Sequence, residues 1–89
     1  MKTEYLPSFI KDLKNLKKIS IYQEIKSLAF QNIPNTSNIA EIRNIKKIKG
    51  HPNAYRIRVR DYRIGIFIKN DVITFSRVLH RKEVYRYFP

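Results

Sequence analysis

Alternating arginines in the middle of the chain are the residues best suited to chemistry. Between positions 43 and 63, eight positive side chains accompany a single carboxylate, that of Asp61. The eight are Arg43, Lys46, Lys47, Lys49, Arg56, Arg58, Arg60 and Arg63. A guanidinium group presents a planar fork of donors that matches the oxygens of a phosphate, so the cluster predicts contact with nucleic acid. The alternative is a solvated charged face without a ligand.

The C-terminal stretch adds groups that could take part in RNA cleavage. Cleavage without a metal requires removal of the ribose 2′-OH proton, stabilisation of negative charge on phosphorus, and protonation of the departing 5′-oxygen. Arginines serve the second need but transfer protons poorly. Neighbouring guanidinium groups favour the phenolate of a tyrosine, which makes Tyr85 the candidate base; the alternative is a core aromatic of a C-terminal helix. His80 is a second candidate acid or base, or a hydrogen-bonding residue at a strand end.

Composition excludes several other classes of protein. The 89 residues include 19 Lys plus Arg, 7 Asp plus Glu and no Cys, for a formal net charge of +12. Without cysteine there is no disulfide framework, thiolate nucleophile or sulfur-rich zinc site, and two histidines cannot fill a metal site alone. The charge attracts polyanions, and no segment has the pattern of a membrane span or signal peptide. We expect one cytoplasmic domain over residues 1–89, with no metal, cofactor or membrane partner.

Two helices are predicted near the N-terminus, where they would help to position these groups. Apolar residues recur at three- and four-residue spacing after Pro7, at Phe9, Ile10, Leu13 and Leu16. Ser20 and Gln23 match a capping box, and the continuing apolar spacing predicts a second helix over 20–32. The polar break over 34–38 then ends an antiparallel helical hairpin.

Residues 39–49 fit two alternatives. Isoleucines at every third position from Ile39 to Ile48 suit a helical turn. The same β-branched residues before Gly50 also suit a short strand over 44–49.

Alternation with period two predicts two antiparallel strands over 54–68. Apolar residues on one face alternate with arginines on the other. If Arg60 and Asp61 form the two-residue turn, Arg58 lies directly opposite Arg63. Like charges in this position destabilise a sheet by roughly 0.2–1 kcal/mol, so the register predicts an anion bound between the two arginines.

A third strand is predicted over 72–79, after a turn at Asn70 and Asp71. Ile73 and Phe75 continue the apolar face; the residues expected on the arginine face are Thr74, Ser76, Val78 and His80. Arg77 violates the alternation, which an edge position or a β-bulge would explain. Residues 81–88 predict a short helix or turn. The predicted class is α+β, with the N-terminal helical hairpin packed on a small, mainly antiparallel sheet.

Four segments follow one another in a recognisable order: FIKDLKNL, KKIKG, NAYRIRVRDYRIGI and VLHRKEVYRYF. Together they resemble the RelE/ParE superfamily of bacterial toxin-antitoxin toxins over nearly the whole chain. The resemblance implies two N-terminal helices on a twisted, mainly antiparallel sheet. It also implies one of two activities, because the RelE branch cuts messenger RNA in the ribosomal A site whereas the ParE branch poisons DNA gyrase and lacks the RNA-cleaving residues.

The resemblance to the RelE branch implies a catalytic set, made of Arg56, Arg58, Arg63, Arg81 and Tyr85. Tyr87 is an alternative to Tyr85, because the spacing from Arg81 varies among members. Some members carry lysines at the positions of Arg56 and Arg58, so phosphate orientation and charge stabilisation are the roles expected of these two arginines. The remaining basic residues of the cluster are expected to anchor RNA; they are Arg43, Lys46, Lys47, Lys49 and Arg60.

The resemblance further implies the partners. They are the ribosome with its message, and an antitoxin whose acidic or apolar segment covers the basic site. Operator DNA would be bound only by the toxin-antitoxin complex. Two other functions stay open at this point, a ParE-like inhibitor of DNA gyrase and a basic RNA-binding module without enzymatic activity.

Overall fold

The computed structural model describes all residues 1–89. It contains one five-stranded sheet in the order β1-β5-β4-β3-β2. The strands are β1 (Lys2–Tyr5), β2 (Ile45–Lys47), β3 (Ala54–Val59), β4 (Tyr62–Lys69) and β5 (Val72–His80). The helices are α1 (Pro7–Lys14), α2 (Tyr22–Ser27), which a π-helical turn continues over Leu28–Asn32, and α3 (Val84–Tyr87). The α+β class and the short C-terminal helix are therefore confirmed.

The prediction that the chain opens with a helical hairpin is wrong, because a strand comes first. β1 pairs in parallel with β5, from Lys2 opposite Val72 to Tyr5 opposite Phe75. This makes the sheet mixed, while its other three pairings are antiparallel. Pro7 at the first helical position then starts α1, which packs on β5.

The second helix is shorter at its start than predicted. The capping box at Ser20 does not form: α2 begins at Tyr22, after Ile21, with no side-chain cap. Both alternatives for residues 39–49 occur, in sequence. A 3₁₀ turn over Ile39–Glu41 is capped by Asn38, whose side-chain oxygen accepts from the Ala40 amide at 2.9 Å, and β2 follows.

The predicted register between β3 and β4 is confirmed. Arg58 lies opposite Arg63, and Arg56 lies opposite Gly65. Arg60 in the intervening turn has a φ of 55°, which is the left-handed conformation that tight hairpins require. The turn at Asn70 and Asp71 also forms, with positive φ at both residues.

A β-bulge changes the faces of β5. Ile66 pairs with Phe75 but Gly65 pairs with Arg77, so Ser76 is an extra residue in β5. The prediction that Val78 and His80 share the arginine face fails here, because the extra residue shifts the alternation of the residues that follow it by one. Val78 is fully buried in the main core, and His80, paired with Tyr62, lies on the helix-covered face. Arg77 lies at this bulge and also at an uncovered edge, since β1 pairs with β5 only as far as Phe75, so both predicted explanations hold.

The two faces of the sheet are covered to different extents. α1, α2 and the π-helical turn bury the main core against one face, with Phe9, Ile25 and Phe75 completely enclosed. The other face carries a small separate cluster, in which Val84 and Phe88 of the C-terminal segment pack on Ala54. The arginines occupy the rest of this second face, which is called the open face below. None of the helices is long and apolar enough to cross a membrane.

Candidate functional site

Three arginines of the predicted set project from adjacent strands onto the open face. Arg56 and Arg58 come from β3 and Arg63 from β4. Alternation turns their apolar neighbours inward, so Ile57 and Ile64 fix the strands in the core while the arginines face outward. None of the three forms an ion pair, since the three ion pairs of the protein involve other arginines.

Arg63 lies at the centre of this group. Its guanidinium donates to the backbone carbonyls of Arg60 at 2.9 Å and Tyr62 at 3.0 Å, which hold the side chain over the strand end. Partial burial and the charge of Arg56 lower the pKa of Arg63; the oxygen of Tyr85 counteracts this, and Arg58 and Arg81 add to the lowering. The other four predicted catalytic residues therefore all lie close enough for their charges to act on Arg63.

Tyr85 reaches this group from α3. Its side chain is 58% exposed, so it is not the core aromatic of the alternative interpretation. It lines an open cavity of about 310 Å³ together with Arg56 and the predicted RNA-binding lysines, Lys46, Lys47 and Lys49. The cavity thus combines a phenol with four positive side chains.

Arg81 follows β5 and lies beside the β3–β4 turn. Its amide donates to the Asp61 carbonyl at 2.7 Å, and its Nε lies 3.6 Å from an Asp61 carboxylate oxygen. Both side chains are largely exposed, so solvent screens this ion pair. The backbone contact is the stronger constraint, and it holds Arg81 at the same sheet end as Arg63.

Four other predicted residues lie elsewhere. Arg60 points to the helical layer, where its Nε donates to Glu24 at 3.1 Å. Arg43 is absent from the cavity of Tyr85 and lines another groove, together with Glu24 and Arg58. His80 contacts the edge of the Tyr62 ring and accepts the Lys82 amide at Nδ1, on the face opposite to the arginines. The ring of Tyr87 lies 5.3 Å from the Arg77 guanidinium carbon, and Tyr87 does not line the cavity of Tyr85.

Sequence reasoning missed the residues that support α3. The ring of Phe88 lies over Gly65, where a Cβ would come within 2.6 Å of it. Arg77 forms a bidentate ion pair with the buried Asp12, at 2.7 and 3.1 Å. The available signals were the glycine in an otherwise apolar strand and the arginine that broke the alternation.

This arrangement suits a phosphodiester flanked by sugars. Unpaired guanidinium groups on one side can bind phosphate oxygens, and the exposed phenol lies where a ribose hydroxyl could meet it. No group of three or more His, Cys, Asp or Glu side chains is placed to hold a metal ion.

Comparison with known proteins defines the class to which this fold and site belong. Residues 3–85 match the family of ParE toxins of type II toxin-antitoxin systems, parDE. Toxin RelE3 of Methanocaldococcus jannaschii is 47% identical over 90 residues, covering 100% of both chains. The crystal structure of the RelB-RelE antitoxin-toxin complex from Methanococcus jannaschii matches with a TM-score of 0.79 and 45% identity, over 97% of this chain and 99% of that chain.

A more distant structure shares the fold alone. The Escherichia coli DinJ-YafQ complex matches with a TM-score of 0.74 at 17% identity, over 94% of this chain and 97% of that chain. The chain therefore belongs to the ParE toxin family of type II toxin-antitoxin systems, and within the RelE/ParE superfamily it is a toxin of the RelE type.

Proposed function

We propose that this toxin is a ribosome-dependent endoribonuclease that cuts messenger RNA in the A site. The observation that carries the proposal is the arrangement of the predicted catalytic residues: Arg56, Arg58 and Arg63 on the open face, Tyr85 in one cavity with Arg56, and Arg81 held at the sheet end that carries Arg63. The ion pairs of the protein leave the three strand arginines free for phosphate. Their mutual repulsion is relieved when an anion binds between them.

The proposed reaction is attack of the ribose 2′-oxygen on the adjacent phosphorus. Tyr85 acts as its phenolate and takes the 2′-OH proton, the arginines stabilise the extra negative charge on the phosphoryl oxygens, and the bond to the 5′-oxygen breaks. The products are a 2′,3′-cyclic phosphate and a 5′-hydroxyl. The 5′-oxygen receives its proton from water or from an ammonium group of the lysines that line the cavity. The proposed steps use only side chains, water and the RNA itself.

Dependence on the ribosome follows from the weakness of this acid-base set. His80, the other candidate acid or base, lies on the opposite face and is not proposed to take part. Holding the ribose and phosphate in line for attack can supply several kcal/mol, and the decoding site holds the message in a fixed conformation. The lysines of the cavity then anchor RNA, and the proposed place of action is the cytoplasm.

The proposed partner outside the ribosome is an antitoxin. The M. jannaschii relative was solved as a complex with RelB, and E. coli YafQ with DinJ. A net charge of +12 suits a partner with an acidic segment that covers the open face. Operator DNA would be contacted through that complex.

Primer-extension mapping of message on translating ribosomes tests the activity. Discrete cuts within codons at the A site, with free RNA of the same sequence cut slowly or not at all, are the expected result. Equal rates on free and ribosome-bound RNA would contradict the role of the ribosome. The family that matches the chain is described by its ParE members, so inhibition of gyrase supercoiling with intact transcripts is the alternative outcome.

A further inference from the structure

At the bulge in β5, backbone groups that have no partner strand form hydrogen bonds with side chains of α1. β1 pairs with β5 only as far as Phe75, so β5 is uncovered beyond that residue. The Ser8 hydroxyl donates to the Ser76 carbonyl at 2.6 Å, and the Val78 amide donates to Asp12 at 3.1 Å. Asp12 is only 6% exposed, and a buried carboxylate requires such partners.

The same carboxylate fixes the orientation of Arg77. Nε donates to one oxygen of Asp12 at 2.7 Å and a terminal nitrogen donates to the other at 3.1 Å, which defines the plane of the guanidinium. The hydrogen bond to Asp12 raises the pKa of Arg77 against the opposing effect of burial. Unlike Arg56, Arg58 and Arg63, Arg77 is therefore paired with a carboxylate within the protein and is not available to a phosphate.

Arg77 in turn contacts the C-terminal helix. Its guanidinium carbon lies 5.3 Å from the centroid of the Tyr87 ring, in cation–π geometry. Tyr85 and Tyr87 are two residues apart, so their side chains leave α3 in directions roughly 160° apart. Contact of Tyr87 with Arg77 therefore sets the rotation that turns Tyr85 toward the cavity, while Val84 and Phe88 attach the helix to the sheet.

We propose that Asp12, Arg77 and Tyr87 are positioning residues, which act in series to direct the Tyr85 hydroxyl toward the arginines of the open face. This inference rests on the proposed function, in which Tyr85 is the base. The helix has only four residues and cannot fix its own orientation by internal hydrogen bonds. A misplacement of about 1 Å at a reacting group can lower the rate 10²-fold. We therefore expect the contact of the Tyr87 ring with Arg77 to affect the cleavage rate, although neither residue touches the RNA.

The substitution Tyr87→Leu tests the last contact without disturbing the Asp12–Arg77 pair. Tyr87 is 51% exposed, so the melting temperature and the affinity for ribosomes should stay near those of the parent. We expect the single-turnover cleavage rate to fall about 10- to 100-fold. Tyr87→Phe keeps the ring on Arg77 and should restore the parental rate. A Tyr87→Phe variant as slow as Tyr87→Leu would overturn the proposal, because the hydroxyl and not the ring contact would then matter.

A second measurement separates positioning from a general structural effect. In the Tyr85→Phe background, Tyr87→Leu and Arg77→Gln should cause no further loss of rate, because the group they position is already absent. An equal loss in both backgrounds would overturn the proposal.

Hydrogen exchange in the free protein keeps this inference separate from the nuclease proposal. The amide of Phe88 donates to the Val84 carbonyl at 2.8 Å, and it should exchange faster in Tyr87→Leu while the amides of β3 and β4 are unchanged. If the parent protein cuts no RNA but this exchange changes, the positioning role survives and the proposed reaction fails. Unchanged exchange at Phe88 would overturn the positioning role itself.

Discussion

Arg58 and Arg63 lie directly opposite each other in the β3–β4 pair, and neither forms an ion pair with a carboxylate. A sheet optimised for stability alone would place opposite charges here. Burial and neighbouring positive charges already lower the pKa of Arg63. The pair is therefore a location where an anion would stabilise the free protein.

Arg63→Ala should separate stability from activity. We expect the cleavage step to fall about 10²- to 10³-fold, the usual cost of losing one donor to a developing oxyanion. The free energy of unfolding should equal or slightly exceed that of the parent, because relief of repulsion from Arg58 offsets the two lost bonds to backbone carbonyls. Denaturant unfolding and single-turnover cleavage measure the two quantities.

Lys69→Ala is the matched control for Arg63→Ala. It removes a positive charge from the same strand at the other end, where Lys69 is exposed and lies opposite Val72. Its cleavage rate should match that of the parent. A similar loss in both variants would indicate that net charge, and not the position of Arg63, controls the rate.

Tyr85→Phe should abolish base catalysis without affecting the fold. The side chain is mostly exposed, so loss of the hydroxyl leaves no buried group unpaired. Ribosome binding should be nearly unchanged while the single-turnover rate falls by 10²-fold or more, in the range that general base catalysis supplies. If Tyr85→Phe cleaves at the parental rate and His80→Ala does not, the base has been assigned to the wrong residue.

RNA binding by the free toxin should depend steeply on salt, because lysines that contact phosphates release condensed counterions. Replacing Lys46, Lys47 or Lys49 by Gln should weaken binding about equally for all sequences. Each substitution should reduce the slope of log K against log salt by about 0.7 for a single strand. Fluorescence anisotropy from 50 to 200 mM salt measures this, and an affinity that does not change with salt would contradict the role of the cavity lysines.

The sequence was sufficient to predict the arginine face of β3 and β4. Apolar and basic residues alternate along β3, and apolar residues recur at every second position of β4. A two-residue turn between these strands allows only one register, in which Arg58 lies opposite Arg63. β1 was not predictable in this way. It has four residues, and its partner β5 begins some 70 positions later in the chain, so no local pattern identifies their parallel pairing.

His80 was misplaced for a related reason. Alternation predicts which face a side chain lies on only while the strand pairing is regular. The extra residue at Ser76 reverses the predicted face of every later residue in β5. The signal of this irregularity in the sequence was Arg77, which broke the period-two alternation. Its partner Asp12 could not be identified there, because the pairing of α1 with β5 is a tertiary contact over 65 residues.

Gly65→Ala should displace the C-terminal helix while leaving the main core intact. A Cβ at this position would lie 2.6 to 2.8 Å from the Phe88 ring, which is closer than real contacts allow, and Phe88 is only 2% exposed. Overpacking of this kind typically costs 1–3 kcal/mol, and the strain falls on the small cluster of Ala54, Val84 and Phe88. We expect cleavage to fall at least 10-fold because Tyr85 moves with the helix.

The double variant Gly65→Ala/Phe88→Leu provides the control, since a smaller side chain at 88 makes room for the new methyl group. It should recover part of the activity that Gly65→Ala loses, whereas Phe88→Leu alone should reduce stability by leaving a cavity. Thermal unfolding and single-turnover cleavage of the three variants give the coupling between the two positions. Additive losses in the double variant would mean that the contact between Gly65 and Phe88 does not determine where the C-terminal helix lies.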